Sequence, residues 1–93
     1  MKEKQRIAIR VRGRVQGVGF RYFALDSAQA FQITGWVRNT DDRDVEIEAQ
    51  GEADALDKFC LEINQGPPLS HISDVSIRDM PVQSQESSFE IRH

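Results

Sequence analysis

Cysteine is almost missing from this 93-residue chain: Cys60 is the only one, so no internal disulfide can form and no multi-cysteine metal site can be built. Histidine is scarce as well. His71 and His93 stand far apart without thiol or acidic company at ligand spacing, which makes a poor metal site. No stretch approaches the roughly 20 apolar residues of a membrane span, and the charged start Met1-Lys2-Glu3-Lys4-Gln5 has no apolar run behind it. A secretory signal is therefore not expected, and we read the protein as cytoplasmic, with no membrane partner. Residues 1–93 leave room for one domain and one core, without space for a cofactor domain beside a substrate domain.

Charge is unevenly spread. The net charge is −3, yet seven of the twelve Lys and Arg lie at or before Arg21, while nine of the fifteen acids fall between Asp41 and Glu62. An acidic chain with a basic corner suits a small anion better than a nucleic-acid backbone, which calls for a broad positive face.

From Arg6 to Gly13 the chain alternates, with Ile7, Ile9 and Val11 on one face and Ala8, Arg10 and Arg12 on the other, the mark of a half-buried strand. Between Arg21 and about Gln32 the apolar residues Phe20, Ala24, Ala28 and Phe31 recur at helical spacing, predicting an amphipathic helix. Thr34 to Asn39 reads as a second strand, Thr40 to Asp44 as a polar turn, and Val45, Ile47 and Ala49 as the inward face of a third strand, closing a β-hairpin. Leu56, Phe59, Cys60 and Ile63 predict a second helix from about Ala53 to Asn64, stopped by Gly66-Pro67-Pro68. A fourth strand is expected within His71 to Asp79 and a short last one within Ser87 to Arg92; Pro81 to Ser88 reads as an exposed connection.

The order β-α-β-β-α-β with a short terminal strand is the split pattern of ferredoxin-like folds. It predicts an α+β chain, an α/β sandwich whose antiparallel sheet is covered on one face by two helices.

Gly13-Arg14-Val15-Gln16-Gly17-Val18-Gly19-Phe20-Arg21 places three glycines and two arginines between the first strand and the first helix. Such a turn can aim successive backbone N–H groups at one spot, joined by the free N–H groups of the helix start, and Arg21 adds a forked charged donor. It reads equally as a tight turn that simply needs glycine. The loop has no Lys-Ser/Thr pair after its last glycine and no G-x-G-x-x-G spacing, so it matches neither of those nucleotide-binding motifs. A cation at a helix start opposes the dipole, and an anion held between them would account for Arg21.

That loop, together with Gly35-Trp36-Val37-Arg38-Asn39-Thr40 and Val45-Glu46-Ile47-Glu48-Ala49-Gln50-Gly51-Glu52, resembles the acylphosphatase family. The resemblance extends to Gly66-Pro67-Pro68 and to the Phe89, Ile91 and Arg92 ending, and so covers nearly the whole chain. It implies the ferredoxin-like sandwich and a small cytosolic, metal-free hydrolase of acyl phosphates, monomeric and without a cofactor. It further implies a loop of Val15, Gln16, Gly17, Val18, Gly19 and Phe20 around the phosphate, Arg21 as phosphate ligand, Asn39 orienting the attacking water, and Thr40 as a supporting hydrogen-bond partner. The expected partners are a small acyl phosphate and inorganic phosphate as competing product.

The plainer readings concern the neighbours. Trp36 fits packing better than a substrate platform, and Cys60 lies on the apolar stripe of its helix. Asp41, Asp42 and Asp44 read as a solvated turn, since a calcium loop needs a longer pattern ending in Glu. Arg43 stands where many relatives have glycine; if the turn requires positive φ, arginine there costs about 1 kcal/mol unless the turn changes type. Two other functions use this fold pattern. An RNA-binding module would show aromatic and basic residues on its third strand, whereas Asp44 to Ala49 is acidic and has no ring. A metabolite-sensing module would bind an anion without hydrolysing it. The amino-terminal domain of hydrogenase-maturation carbamoyltransferases is also similar, but often has proline where this chain has Tyr22.

Overall fold

The alternation along the first strand meets a matching alternation on the third, and that match sets the register of the sheet. The computed structural model describes residues 3–93, with β1 (Lys4–Arg14), α1 (Phe20–Ala30), β2 (Thr34–Asn39), β3 (Val45–Glu52), α2 (Ala53–Gln65), β4 (His71–Met80) and β5 (Phe89–Arg92). Ile7, Ile9 and Val11 of β1 stand opposite Ala49, Ile47 and Val45 of antiparallel β3. Val37 of β2 continues the stripe beside Ile47. Onto this face α1 lays Phe20, Ala24 and Ala28, and α2 lays Leu56, Phe59 and Ile63, so that one buried core forms between sheet and helices. Phe59 meets Phe89 of β5 edge to face at 6.0 Å, which ties the last strand to α2. The sandwich has the ferredoxin-like form expected from periodicity.

The strands lie in the order β4-β1-β3-β2-β5. The first four pair antiparallel as expected, but β5 runs parallel to β2, so the sheet is mixed. The reason is the route of the chain. It leaves β4 at one edge, crosses to the other edge and enters β5 in the direction of β2. An alternating pattern assigns faces but carries no strand direction.

The crossing segment, residues 81–88, is not simply an exposed connection. Gln50 of β3 donates from its side chain to the Gln83 carbonyl at 3.0 Å and accepts from the Gln83 N–H at 2.8 Å. Glu86 grips the Arg6 guanidinium through two bonds of 2.8 and 3.1 Å, and Glu48 takes a third at 3.0 Å. Arg6, alternating onto the face away from the helices, is therefore only 2% exposed. Burial opposes its charge, yet the bonds to Glu86 and Glu48 more than offset this and raise its pKa. Burial likewise opposes the Glu86 charge, and the Arg6 guanidinium holds that carboxyl below the usual carboxylate range.

The same face takes up two more arginines of the basic corner. Arg10 bonds Asp44 at 3.0 Å and Asp42 at 3.2 Å, and Arg12 reaches Asp74 at 3.2 Å. Asp42 and Asp44 are thus counterions to β1; Asp41 and Asp42 are exposed as a solvated turn would have them, whereas Asp44 is largely buried. Cys60 is half-buried, and burial pushes its thiol pKa up, in keeping with packing.

Candidate active site

The loop from Val15 to Gly19 is pinned at both ends by side chains in the core: Val15 is fully buried and Phe20, the first residue of α1, is 2% exposed. Between them Gly17 and Gly19 take φ of 74° and 79°, the left-handed region that side-chain-bearing residues rarely adopt. A Cβ at either would meet nothing within 4 Å, so conformation, not space, demands glycine there. Gly19 is the residue that caps α1. It supplies no side chain to the cap, and no acidic residue lies in the first turn.

The first bond of α1 runs from the Phe23 N–H to the Gly19 carbonyl at 3.0 Å. The N–H groups of Phe20, Arg21 and Tyr22 precede it and have no intrahelical acceptor. They stand where the helix dipole is positive, which is an anion-binding arrangement. Arg21 makes no ion pair among the described residues; its Nη1 lies 3.3 Å from Nδ1 of His93, the residue after β5.

Asn39 closes the other side. It is the last residue of β2, opposite Val45, and alternation places it on the helix-facing side with Val37. Among the described residues its carboxamide bonds no protein group. A cavity of about 160 Å³ is lined by Val15, Gly17, Gly19, Phe20, Arg21, Tyr22 and Asn39. Arg21 and Asn39, distant in sequence, thus border one space.

Three expected site residues lie behind that wall. Gln16 donates from Nε2 to the carbonyls of Thr40 and Asp44, each at 2.9 Å. Thr40 accepts at Oγ1 from the Asp44 N–H at 3.1 Å, while its own N–H donates to the Asp44 carbonyl at 2.9 Å. Val18 packs against the core. Gln16 and Thr40 therefore form a brace between the loop and the hairpin that carries Asn39. The arginines of β1 do not join the cavity, because alternation turns them to the opposite sheet face. Tyr22 does line it, and helical position alone, one residue after Arg21 in the first turn, was the available signal. No helix of the described residues is long and apolar enough to cross a membrane, and among them no cluster of His, Cys, Asp and Glu could hold a metal ion.

These features define a small α/β sandwich whose strand-to-helix loop and uncapped helix start face the end of a strand two places away in the same sheet. A family model described as Acylphosphatase matches residues 7–91. An acylphosphatase of Clostridium acetobutylicum is 47% identical over 87 residues, which span 94% of this chain and 96% of that one. The crystal structure of acylphosphatase from Bacillus subtilis superposes with a TM-score of 0.92 at 39% identity, covering 96% of this chain and 99% of the other. Full-length HypF, in its phosphate- and nucleotide-bound form, contains a similar unit: TM-score 0.93, 33% identity, all of this chain but 12% of that one. The chain belongs to the acylphosphatase family. It is accordingly a hydrolase that acts on acyl phosphates.

Proposed function

We propose that the cavity between the glycine loop and Asn39 is where an acyl phosphate is cleaved, without a metal ion, by Arg21 and Asn39 in separate roles. The observation that carries this is the meeting of Arg21, the free N–H groups of the α1 start and the unpartnered Asn39 carboxamide around one space. The phosphoryl group sits against the N–H groups, and Arg21 supplies a forked cation for its oxygens. Asn39 can donate to and accept from one water, turning a lone pair toward phosphorus.

Attack forms a bond from the water oxygen to phosphorus as the bond to the acyl oxygen breaks. The electron pair leaves with the carboxylate, and the water proton passes to a non-bridging phosphate oxygen. A carboxylate departs without needing a proton, so neither an enzyme acid nor an enzyme base is required. The chain's share is positioning and charge stabilisation, which suits phosphoryl transfer. Thr40 and Gln16 act at one remove by holding the end of the hairpin.

The deciding experiment is hydrolysis of benzoyl, acetyl and carbamoyl phosphates in the presence of EDTA, with inorganic phosphate as competitor. Turnover that persists in EDTA and is competitively inhibited by phosphate is expected. Loss of turnover in EDTA would sink the metal-free scheme, and a pH profile governed by an enzyme group near neutrality would sink the substrate-assisted proton transfer.

A further inference from the structure

We propose that Tyr22 determines which acyl group is preferred: its ring is the outer rim of the cradle and favours flat, conjugated acyl groups over small aliphatic ones. This rests on the reading of the cavity as an acyl-phosphate site. Among the described residues five large hydrophobic side chains are notably exposed, and Tyr22, at 66%, is the residue among them that borders this cavity. Its hydroxyl has no partner among the described residues, so the ring is not held there by a polar bond.

The fold separates the two sides of the cavity. Phe20, Ala24, Ser27 and Ala28 mark the buried face of α1. Tyr22, two residues after Phe20, lies roughly 200° around the helix, on the side away from the sheet. Asn39 comes from the opposite direction, on the helix-facing side of β2. The cavity touches both.

In an in-line displacement the attacking water and the leaving oxygen lie on opposite sides of phosphorus. With water held at Asn39 beside the sheet, the acyl oxygen points outward, toward the Tyr22 side. The other lining side chains on that route are buried or glycine, apart from Arg21, which is engaged with the phosphate. The acyl group therefore meets a phenol ring on its way to solvent and no enclosing pocket. A benzoyl group can stack on that ring; an acetyl group offers too little surface to gain from it.

The test is kcat/KM for benzoyl and acetyl phosphate with the wild type, Tyr22→Ala and Tyr22→Phe, alongside the inhibition constant of inorganic phosphate. Tyr22→Ala is expected to lower the benzoyl-to-acetyl ratio by about two- to tenfold, the range of a single aromatic contact. Tyr22→Phe should keep the ratio, because the ring and not the hydroxyl makes the contact. An unchanged ratio in Tyr22→Ala overturns the proposal, as does an equal loss on both substrates with weaker phosphate inhibition, which would put Tyr22 in the cradle itself. A Tyr22→Phe ratio as low as that of Tyr22→Ala overturns it too. If the wild type hydrolysed neither substrate, the reading of the site would fall, and the inference with it; a ratio that fails to move removes the inference alone.

Discussion

Gln16 Nε2 donates to the Thr40 carbonyl at 2.9 Å, and through that bond the loop that leads to Arg21 is fastened to the residue next to Asn39. The same nitrogen also reaches the Asp44 carbonyl at 2.9 Å, so both sides of the hairpin turn hang on one amide. Gln16→Ala should lower kcat by about 10- to 100-fold, the scale of losing alignment by a fraction of an ångström to an ångström. Two net hydrogen bonds predict a stability loss of about 1–2 kcal/mol in denaturant titrations. Phosphate inhibition should change little, since the backbone cradle and Arg21 stay in place; weakening as severe as that of kcat would assign Gln16 to the cradle.

Arg21 and Asn39 should separate cleanly. In the proposed scheme Arg21→Ala removes the charge that would face the phosphate, and Asn39→Ala the group that would orient water. Each is expected to lower kcat/KM by at least about 100-fold. Competition by inorganic phosphate should disappear largely in the first variant alone. Both side chains lie outside the core, so circular dichroism should show the native fold. Full turnover of benzoyl phosphate by Asn39→Ala would contradict its role.

Arg43 has φ of 70°, so the turn keeps the left-handed geometry that favours glycine rather than changing type. The strain of an L-residue there is about 1–2 kcal/mol, part of which the greater chain entropy of glycine takes back. Arg43→Gly is therefore expected to gain about 0.5–1 kcal/mol, read as a rise of a few degrees in Tm. Its exposed side chain makes no ion pair among the described residues, and kcat/KM should not change.

The Arg6–Glu86 pair links stability to pH. Glu86 has a lowered pKa in the fold, so the stability it contributes is complete above its ordinary value of 4.5 and is lost as pH falls through the lower folded value. Arg6 remains charged throughout. Glu86→Gln should cost about 1.5–3 kcal/mol at neutral pH, because it strips charge-assisted bonds from a buried guanidinium. It should also flatten the fall of unfolding free energy below pH 4.5 relative to wild type, measured by urea titration across pH. Parallel curves for the two proteins would show that the pair carries no such linkage.

Much of this fold is legible from periodicity. Ile7, Ile9 and Val11 reveal their strand, and Leu56, Phe59 and Ile63 their helix, because burying one face imposes a period on the residues. What escapes is whatever leaves no period. Glu86 lies in an aperiodic stretch 80 residues from Arg6, and nothing local announces that the two will meet. The direction of β5 escapes for the same reason. In the site, Arg21 and Asn39 are legible as members of motifs, whereas the Gln16 brace is not: its partners are backbone carbonyls, which every residue possesses.

The missing cap of α1 has a consequence for stability. A helix that begins on Gly19 leaves its leading donors unanswered, and any anion in the cradle answers them, acting as a removable cap. Ligand and fold are then thermodynamically linked: phosphate at 100 times its dissociation constant would add about 2.7 kcal/mol to the unfolding free energy. On the proposed reading the protein should accordingly melt at a higher temperature as product accumulates, its uncapped helix start completed by what it has just released from the substrate.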